Sequence, residues 1–379
     1  MLWRPTKFWY AVATMVGATV GIGFFGIPFA FAKAGPWFGL FFFVSIVGLV
    51  FIGNLLYGEV ILRTHERHQF VGYVHRYLGT WGRRLGKINF WIAMFGAVIG
   101  VLVLNGQFLS QALSFVHITL SPVAASTLFF LVAITLVYFG LKTVSHVDFV
   151  MMIFFVVVTV VIAIVGIPHI QSANYSVGNG AFWFLPFGVI LYAMNGFTGM
   201  SLMREVLVGQ ERSLKRAVGY AILIPALLYL VFTAVVVGVS GDVTSPEAIA
   251  GLSGFLGNKI VFLGSLFGFL TSSTIFISIL TVFRESLKED FRLRRATDFI
   301  FPIFLPFLLF LLGVRNFINI IGLVGGVAIG IDMILLLFMY AKVKEDGNRI
   351  PEYSMRLPNW LIYVMMGLFL AGAIYTLLV

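Results

Sequence analysis

Not one cysteine occurs among the 379 residues. Disulfides, thiolate metal sites and cysteine nucleophiles are therefore excluded, and the redox compartment stays open. Charge is scarce as well, at 11% of residues against roughly 25% in a soluble domain. No phosphate-cradling G-x-x-x-x-G-K-[ST] loop appears, which removes direct drive by ATP. The six histidines (65, 68, 75, 117, 146 and 169) fall in loops or at helix ends. His65 and His68 share a helical spacing, but with no third ligand they read as solvated. An intramembrane protease needs a Ser–His or paired-aspartate arrangement at depth, and none is found. The sequence supports no enzyme and calls for no cofactor.

What remains is apolar. Hydrophobic residues make up 60% of the chain, and runs long enough to cross a ~30 Å hydrocarbon core recur along it. They fall near 8–33, 37–62, 88–115, 122–141, 147–168, 181–203, 216–239, 259–284, 298–314, 316–341 and 358–378. Period-2 alternation, the mark of a membrane strand, is missing from them. The expected fold is an all-α polytopic membrane protein of 11 transmembrane helices. Forty glycines suit helices that must approach closely in lipid.

Charge orients this bundle. With the N-terminus cytoplasmic, 22 of the 25 Lys and Arg fall in inner segments, the exceptions being Lys33, Lys259 and Arg315. The C-terminus is then outside. The net charge of +10 becomes a sign of topology and of an inner face near anionic lipid, not of nucleic acid. The opening MLWRPTKFWY and the small-residue AFAKA at 30–34 resemble a signal peptide. The apolar stretch between them is too long for one, so it reads as an uncleaved first span. A compact chain without tails suggests a monomer in a bacterial or archaeal plasma membrane. The external loop at 240–258, with a short helix expected over EAIAGLS, is either a lid or an ordinary connector.

Two spans are built to come apart. Residues 16–28 read VGATVGIGFFGIP, although glycine costs a helix interior about 1 kcal/mol and proline about 3. Residues 182–205, FWFLPFGVILYAMNGFTGMSLMRE, repeat the pattern with Pro186, Gly188, Gly196, Gly199 and a central Asn195. The two lie five helices apart, and an odd number gives two five-helix units opposite orientations. Paired broken helices mark a transporter's binding site. A break strands backbone groups at several kcal/mol each in hydrocarbon, tolerable where a ligand completes them. N–H groups from Ile22 to Phe25 suit a carboxylate; the carbonyls of Gly17, Ala18 and Val20 suit an ammonium or a bare cation. The competing reading takes Gly17 and Gly21 as a G-x-x-x-G packing face.

TVGIGFFGIPFAFAKAG resembles the first-helix motif of the amino acid/auxin permease family and of the related bacterial aromatic amino acid permeases. YAMNGFTGMSLMREV is similar to the sixth-helix pattern of the wider amino acid–polyamine–organocation superfamily. The resemblance implies a LeuT-type 5+5 inverted repeat, one unit at about 8–168 and the other at about 181–341, with helix 358–378 appended. It implies that the backbone of Gly17, Ala18, Thr19, Gly21, Ile22 and Gly23 forms the substrate site, Gly21 to Gly23 holding the carboxylate. Tyr192, Asn195 and Phe197 would line the side-chain pocket. Asn105 and Gln107 of the third span are further candidates; each could instead bond a neighbouring helix.

For the coupling ion, Thr271, Ser272, Ser273 and Thr274 sit mid-span in GFLTSSTIFISIL. In sodium-coupled proteins of this fold such hydroxyls meet first-helix carbonyls, here Gly17 and Val20, so Na+ is the one metal ion to consider. These hydroxyls could equally bond their own preceding turn. Protons compete, because ionisable residues within a bilayer are functional suspects: Asp332 is the deepest, and Glu59 and the Arg204–Glu205 pair lie nearer the inner side. Those last two read best as part of an ion-pair network closing an inner gate. The fifth span has no lysine, which excludes the arrangement of some proton-coupled relatives. The expectation is a secondary transporter of neutral, large or aromatic amino acids, working by alternating access with H+ or Na+. The alternative is a sensor or channel on the same scaffold.

Overall fold

A computed structural model describes residues 7–138, 145–176, 178–289 and 296–378. Among these residues there is helix and no strand, and each of the eleven apolar segments contains helix. Among the described residues seven helices are long and apolar enough to cross a membrane, eight when a bent first pair counts as one span. The protein is polytopic.

The first span is broken. α1 (Lys7–Thr19) and α2 (Gly23–Ala34) meet at 58° across Val20, Gly21 and Ile22. α3 (Pro36–Leu62) follows at once, its Pro36 at the first turn where a missing N–H costs nothing. α4 (Phe70–Ser114) starts well before the apolar run that begins near 88. Its amphipathic opening turns at Gly79, whose φ of 67° and ψ of −149° are open to glycine alone. Much of what reads as a loop at 63–87 is therefore helix. α5 (Pro122–Tyr138) and α6 (Ser145–Gly166) complete the first half.

The second half opens on another interrupted span, α7 (Leu185–Ala193) and α8 (Phe197–Val206), separated by Met194, Asn195 and Gly196. This interruption bends the axis less, and the two halves run on as one 22-residue span. α9 (Leu214–Ser240) leads to the 241–257 connection. Its short helices are single turns at Gly241–Val243 and Ala250–Leu252, the second inside the EAIAGLS segment, and α10 (Ser253–Leu256), which runs on from it. Then come α11 (Asn258–Glu289), α12 (Ala296–Leu311) and α13 (Phe317–Leu323). A π-helical turn, Val324–Ile329, joins α13 to α14 (Gly330–Asp346), and α15 (Asn359–Leu378) ends the fold.

Packing sets the two broken spans face to face. α1 lies on α8, and α2 lies on α7. The first half of one span thus meets the last half of the other, so the two run antiparallel. α9 backs α1 and α2, α3 backs α7, and α4 packs on α11 and α5. The breaks come to rest at one level in the centre of the bundle.

Candidate functional site

The first break follows from its glycines. The Val20 N–H still closes a helical bond to Val16, at 2.8 Å. The outer half then begins at Gly23 behind Ile22, an apolar residue with no capping side chain to offer. The N–H groups of Ile22, Gly23 and Phe24 have no partner within the helix, whereas that of Phe25 is taken by the Ile22 carbonyl. Three donors therefore remain of the four the sequence suggests. The Thr19 hydroxyl donates to the Met15 carbonyl at 2.9 Å while its oxygen lies toward Gly196 of the second break.

The second break interlocks with the first. A Cβ on Gly23 would stand 2.7 Å from Ala193 Cα and 2.8 Å from Tyr192 Cδ1. Gly196 lies against the Thr19 hydroxyl and Met15, and Gly199 against Ala18 and Met15. These are the positions where close approach demands glycine. Gly17 and Gly21 are different: a Cβ on Gly17 would meet nothing within 4 Å, and one on Gly21 only the Thr19 carbonyl, at 3.9 Å. They border open space, with Ala18 exposed between them, and do not form a packing face. Asn195 caps α8 weakly, its Oδ1 accepting from the Phe197 N–H at 3.4 Å.

One hydroxyl sits between the two breaks. Tyr229, fully buried on α9, places its Oη 3.3 Å from the Thr19 carbonyl and 3.4 Å from that of Ala193. The Gly21 backbone faces the same oxygen. A single proton can be donated to either carbonyl, so this side chain supports both broken ends at once. No local signal marks it, since Tyr229 is one of several aromatics in a mostly apolar helix. Beside it the Phe24 ring contacts Phe232 at 4.1 Å and Phe155 at 4.5 Å, and Phe25 contacts Phe108 at 4.9 Å. These buried rings close the side of the break that α2 occupies.

The two breaks thus bring together free donors at the start of one helix, carbonyls at the ends of others, and aromatic surface beside them. The tryptophan/tyrosine permease family model matches residues 4–376, which is nearly the whole chain. The chain belongs to this family. A comparison with curated proteins returns no match. The permease is an amino acid transport protein of the membrane by that membership.

The other candidate residues of this permease are distributed unevenly. Tyr192 and Asn195 border the breaks and are half-buried. Phe197 points elsewhere, its ring stacked on Phe70 at 5.4 Å and packed on Tyr57 at 5.5 Å. From α4 it is Gly100 that faces the break, next to Ile22. Asn105 is fully buried and donates to Ser272 and Ser273 at 3.0 and 2.9 Å, and the Gln107 side-chain oxygen is buried without a donor. Ser272 and Ser273 donate to the Phe269 carbonyl and Thr274 to that of Thr271. The Thr271 hydroxyl has no hydrogen-bond partner among the described residues. No hydrogen bond among the described residues joins these four to Gly17 or Val20.

The acidic candidates take structural partners. Glu59, fully buried, holds Arg63 at 2.8 Å and accepts from the Ser354 hydroxyl at 2.9 Å and the Met355 N–H at 2.6 Å. It anchors the 347–357 segment to the end of α3. Arg204 donates to the Thr64 carbonyl at 2.9 Å and to the Tyr73 hydroxyl at 3.3 Å. Glu205 is exposed and makes no ion pair among the described residues, so the expected pair with Arg204 is absent. Asp332 meets Asn89, a residue the sequence does not single out. In the 63–69 loop, Glu66 is held below the ordinary carboxyl range by its own backbone N–H and by Asn348, and burial holds the His68 imidazole below its usual range.

Proposed function

We propose that this permease is a secondary active transporter that moves an aromatic amino acid across the plasma membrane by alternating access. The observation that carries the reading is the pair of antiparallel broken spans, interlocked through Gly23, Gly196 and Gly199 and bridged by Tyr229. The substrate carboxylate sits on the N–H groups of Ile22 and Gly23 at the positive end of α2. Its ammonium takes carbonyls of Gly17, Ala18 and Val20 with the Asn195 side chain, and its ring lies against Tyr192 and Ile22. Eleven spans in a LeuT-type inverted repeat, 8–168 and 181–341 with 358–378 appended, give this site its pseudo-symmetry. The N-terminus is cytoplasmic and the C-terminus external. The aromatic cluster around Phe24 then seals the outer path, and the open space at Gly17 and Ala18 is the inner one.

Two ions compete for the coupling role. Sodium would use Thr271 to Thr274 with Gly17 and Val20, and a proton would use Asp332. Supporting the proton, the Ser272 and Ser273 oxygens already accept from the Asn105 amide, which leaves each fewer lone pairs for a cation. Proteoliposome uptake of labelled L-tryptophan and L-tyrosine, under separately imposed Na+ and pH gradients, tests the whole reading. Saturable, gradient-driven accumulation is expected. Conductance without saturation would mark a channel instead, and binding without uptake a sensor.

A further inference from the structure

Asp332 stands early in α14, just after the π-helical turn Val324–Ile329. Asn89 of α4, 1% exposed, reaches both elements. Its Nδ2 donates to the Ala328 carbonyl at 2.8 Å and to Asp332 Oδ1 at 2.7 Å. A backbone carbonyl can only accept, so the contact with Ala328 fixes which end of the amide is nitrogen. Both hydrogens on that nitrogen are then used. Among the described residues Asn89 Oδ1 is left buried with no donor, a costly condition for a native acceptor. An ionised Asp332 has no hydrogen to give it, whereas the acid form has one.

Among the described residues no counter-charge pairs with Asp332. From α3 the Tyr57 hydroxyl faces it, and Glu59 is held by Arg63. On α4, Arg83 and Arg84 are exposed. α7 brings only Tyr192, α13 no titratable group, and α15 the tyrosines Tyr363 and Tyr375, of which the second accepts from Trp183. On α14 itself Tyr340 donates to the Met355 carbonyl, and Lys342 and Lys344 are exposed.

We propose that Asp332 is a proton-binding site whose carboxylic acid closes a two-bond pair with Asn89, its O–H donating to the amide oxygen while the amide donates back. This rests on the transport reading and makes the proton its coupling ion: one H+ joins the carboxylate from the outer side and leaves it toward the cytoplasm. The same amide holds the Ala328 carbonyl, so the pair also pins the π-helical turn, a feature concentrated at functional sites. That turn leans on the second broken span, where a Cβ on Gly325 would run into the Gly188 carbonyl and stand 2.9 Å from the Tyr192 nitrogen. Loss of the proton strands the buried amide oxygen beside a carboxylate that cannot donate to it and loosens the turn behind Tyr192.

The test combines pH-titrated infrared difference spectra of the purified full-length protein with transport in proteoliposomes. The parent should show the carbonyl band of a protonated carboxyl, and Asp332→Asn should lack it. Asn89→Ala should keep the band but titrate about one pH unit lower. In liposomes, Asp332→Asn should retain counterflow exchange and lose the roughly tenfold accumulation that a one-unit inward pH gradient sustains with one proton per substrate. An unchanged band in Asp332→Asn, or accumulation equal to the parent's, overturns the site. A higher midpoint in Asn89→Ala overturns the pair, because the amide would then serve the carboxylate alone. A parent that moves no amino acid would refute transport, while the infrared arm still decides the proton site.

Discussion

Gly21 and Gly23 stand two residues apart in one motif, yet the packing assigns them opposite behaviour on substitution. A Cβ on Gly23 would lie 2.7 Å from the Cα of Ala193, where carbon atoms settle at about 3.5–4.0 Å. Since the obstacle is backbone, Gly23→Ala must push α2 and α7 apart by roughly 1 Å, and overpacking of this kind costs about 1–3 kcal/mol. At about 2 kcal/mol the interlocked state falls roughly 30-fold in population. Gly21 has only the Thr19 carbonyl nearby, at 3.9 Å, so Gly21→Ala should leave stability unchanged. Gly21→Leu fills the space assigned to the substrate, and should abolish binding while the protein stays folded. The assay is thermal unfolding of each purified variant beside its affinity for labelled L-tryptophan. Parental binding by Gly21→Leu, or parental stability and binding by Gly23→Ala, would refute the reasoning.

Other perturbations act at single named contacts. Tyr229→Phe removes the donor shared by Thr19 and Ala193, leaving buried carbonyls unsatisfied at about 1–3 kcal/mol; affinity should fall roughly tenfold or more, and an unchanged affinity in equilibrium binding would make the hydroxyl incidental. Arg204→Lys cannot reach the Thr64 carbonyl and the Tyr73 hydroxyl together with one compact ammonium. It should lower the unfolding temperature by the equivalent of about 1–2 kcal/mol, which calorimetry in detergent would detect. Burial depresses the His68 pKa, so its contribution to stability is complete above the unfolded value near 6.5 and is lost as pH falls below it. Unfolding temperatures at pH 7.5 and 5.5 should therefore differ less in His68→Gln than in the parent.

Legibility in the sequence followed the length scale of the signal. Long apolar runs and clustered glycines are local, so the helices and the rupture at Val20–Ile22 could be read directly. The second interruption was legible from Asn195-Gly196, where two poor helix formers adjoin. What a glycine does there was not legible, because Gly17, Gly21 and Gly23 differ only in what another helix places beside them. Tyr229 and Asn89 were missed for the same reason: each acts through contacts made across the bundle, and neither interrupts its own pattern. Phe197 carried the right motif, but its ring found better packing against Phe70 and Tyr57. The turn at Gly79 was hidden because an amphipathic helix with many basic residues resembles a polar loop when read only for hydrophobic runs.

The central claim concerns where the solute's charged ends go, and a structure of the permease bound to L-tryptophan tests it most directly. The account predicts a carboxylate within about 3.2 Å of the Ile22 and Gly23 N–H groups, with the ammonium toward Gly17 and Val20. A ligand held elsewhere, with Val20 to Gly23 drawn into continuous helix, would contradict it.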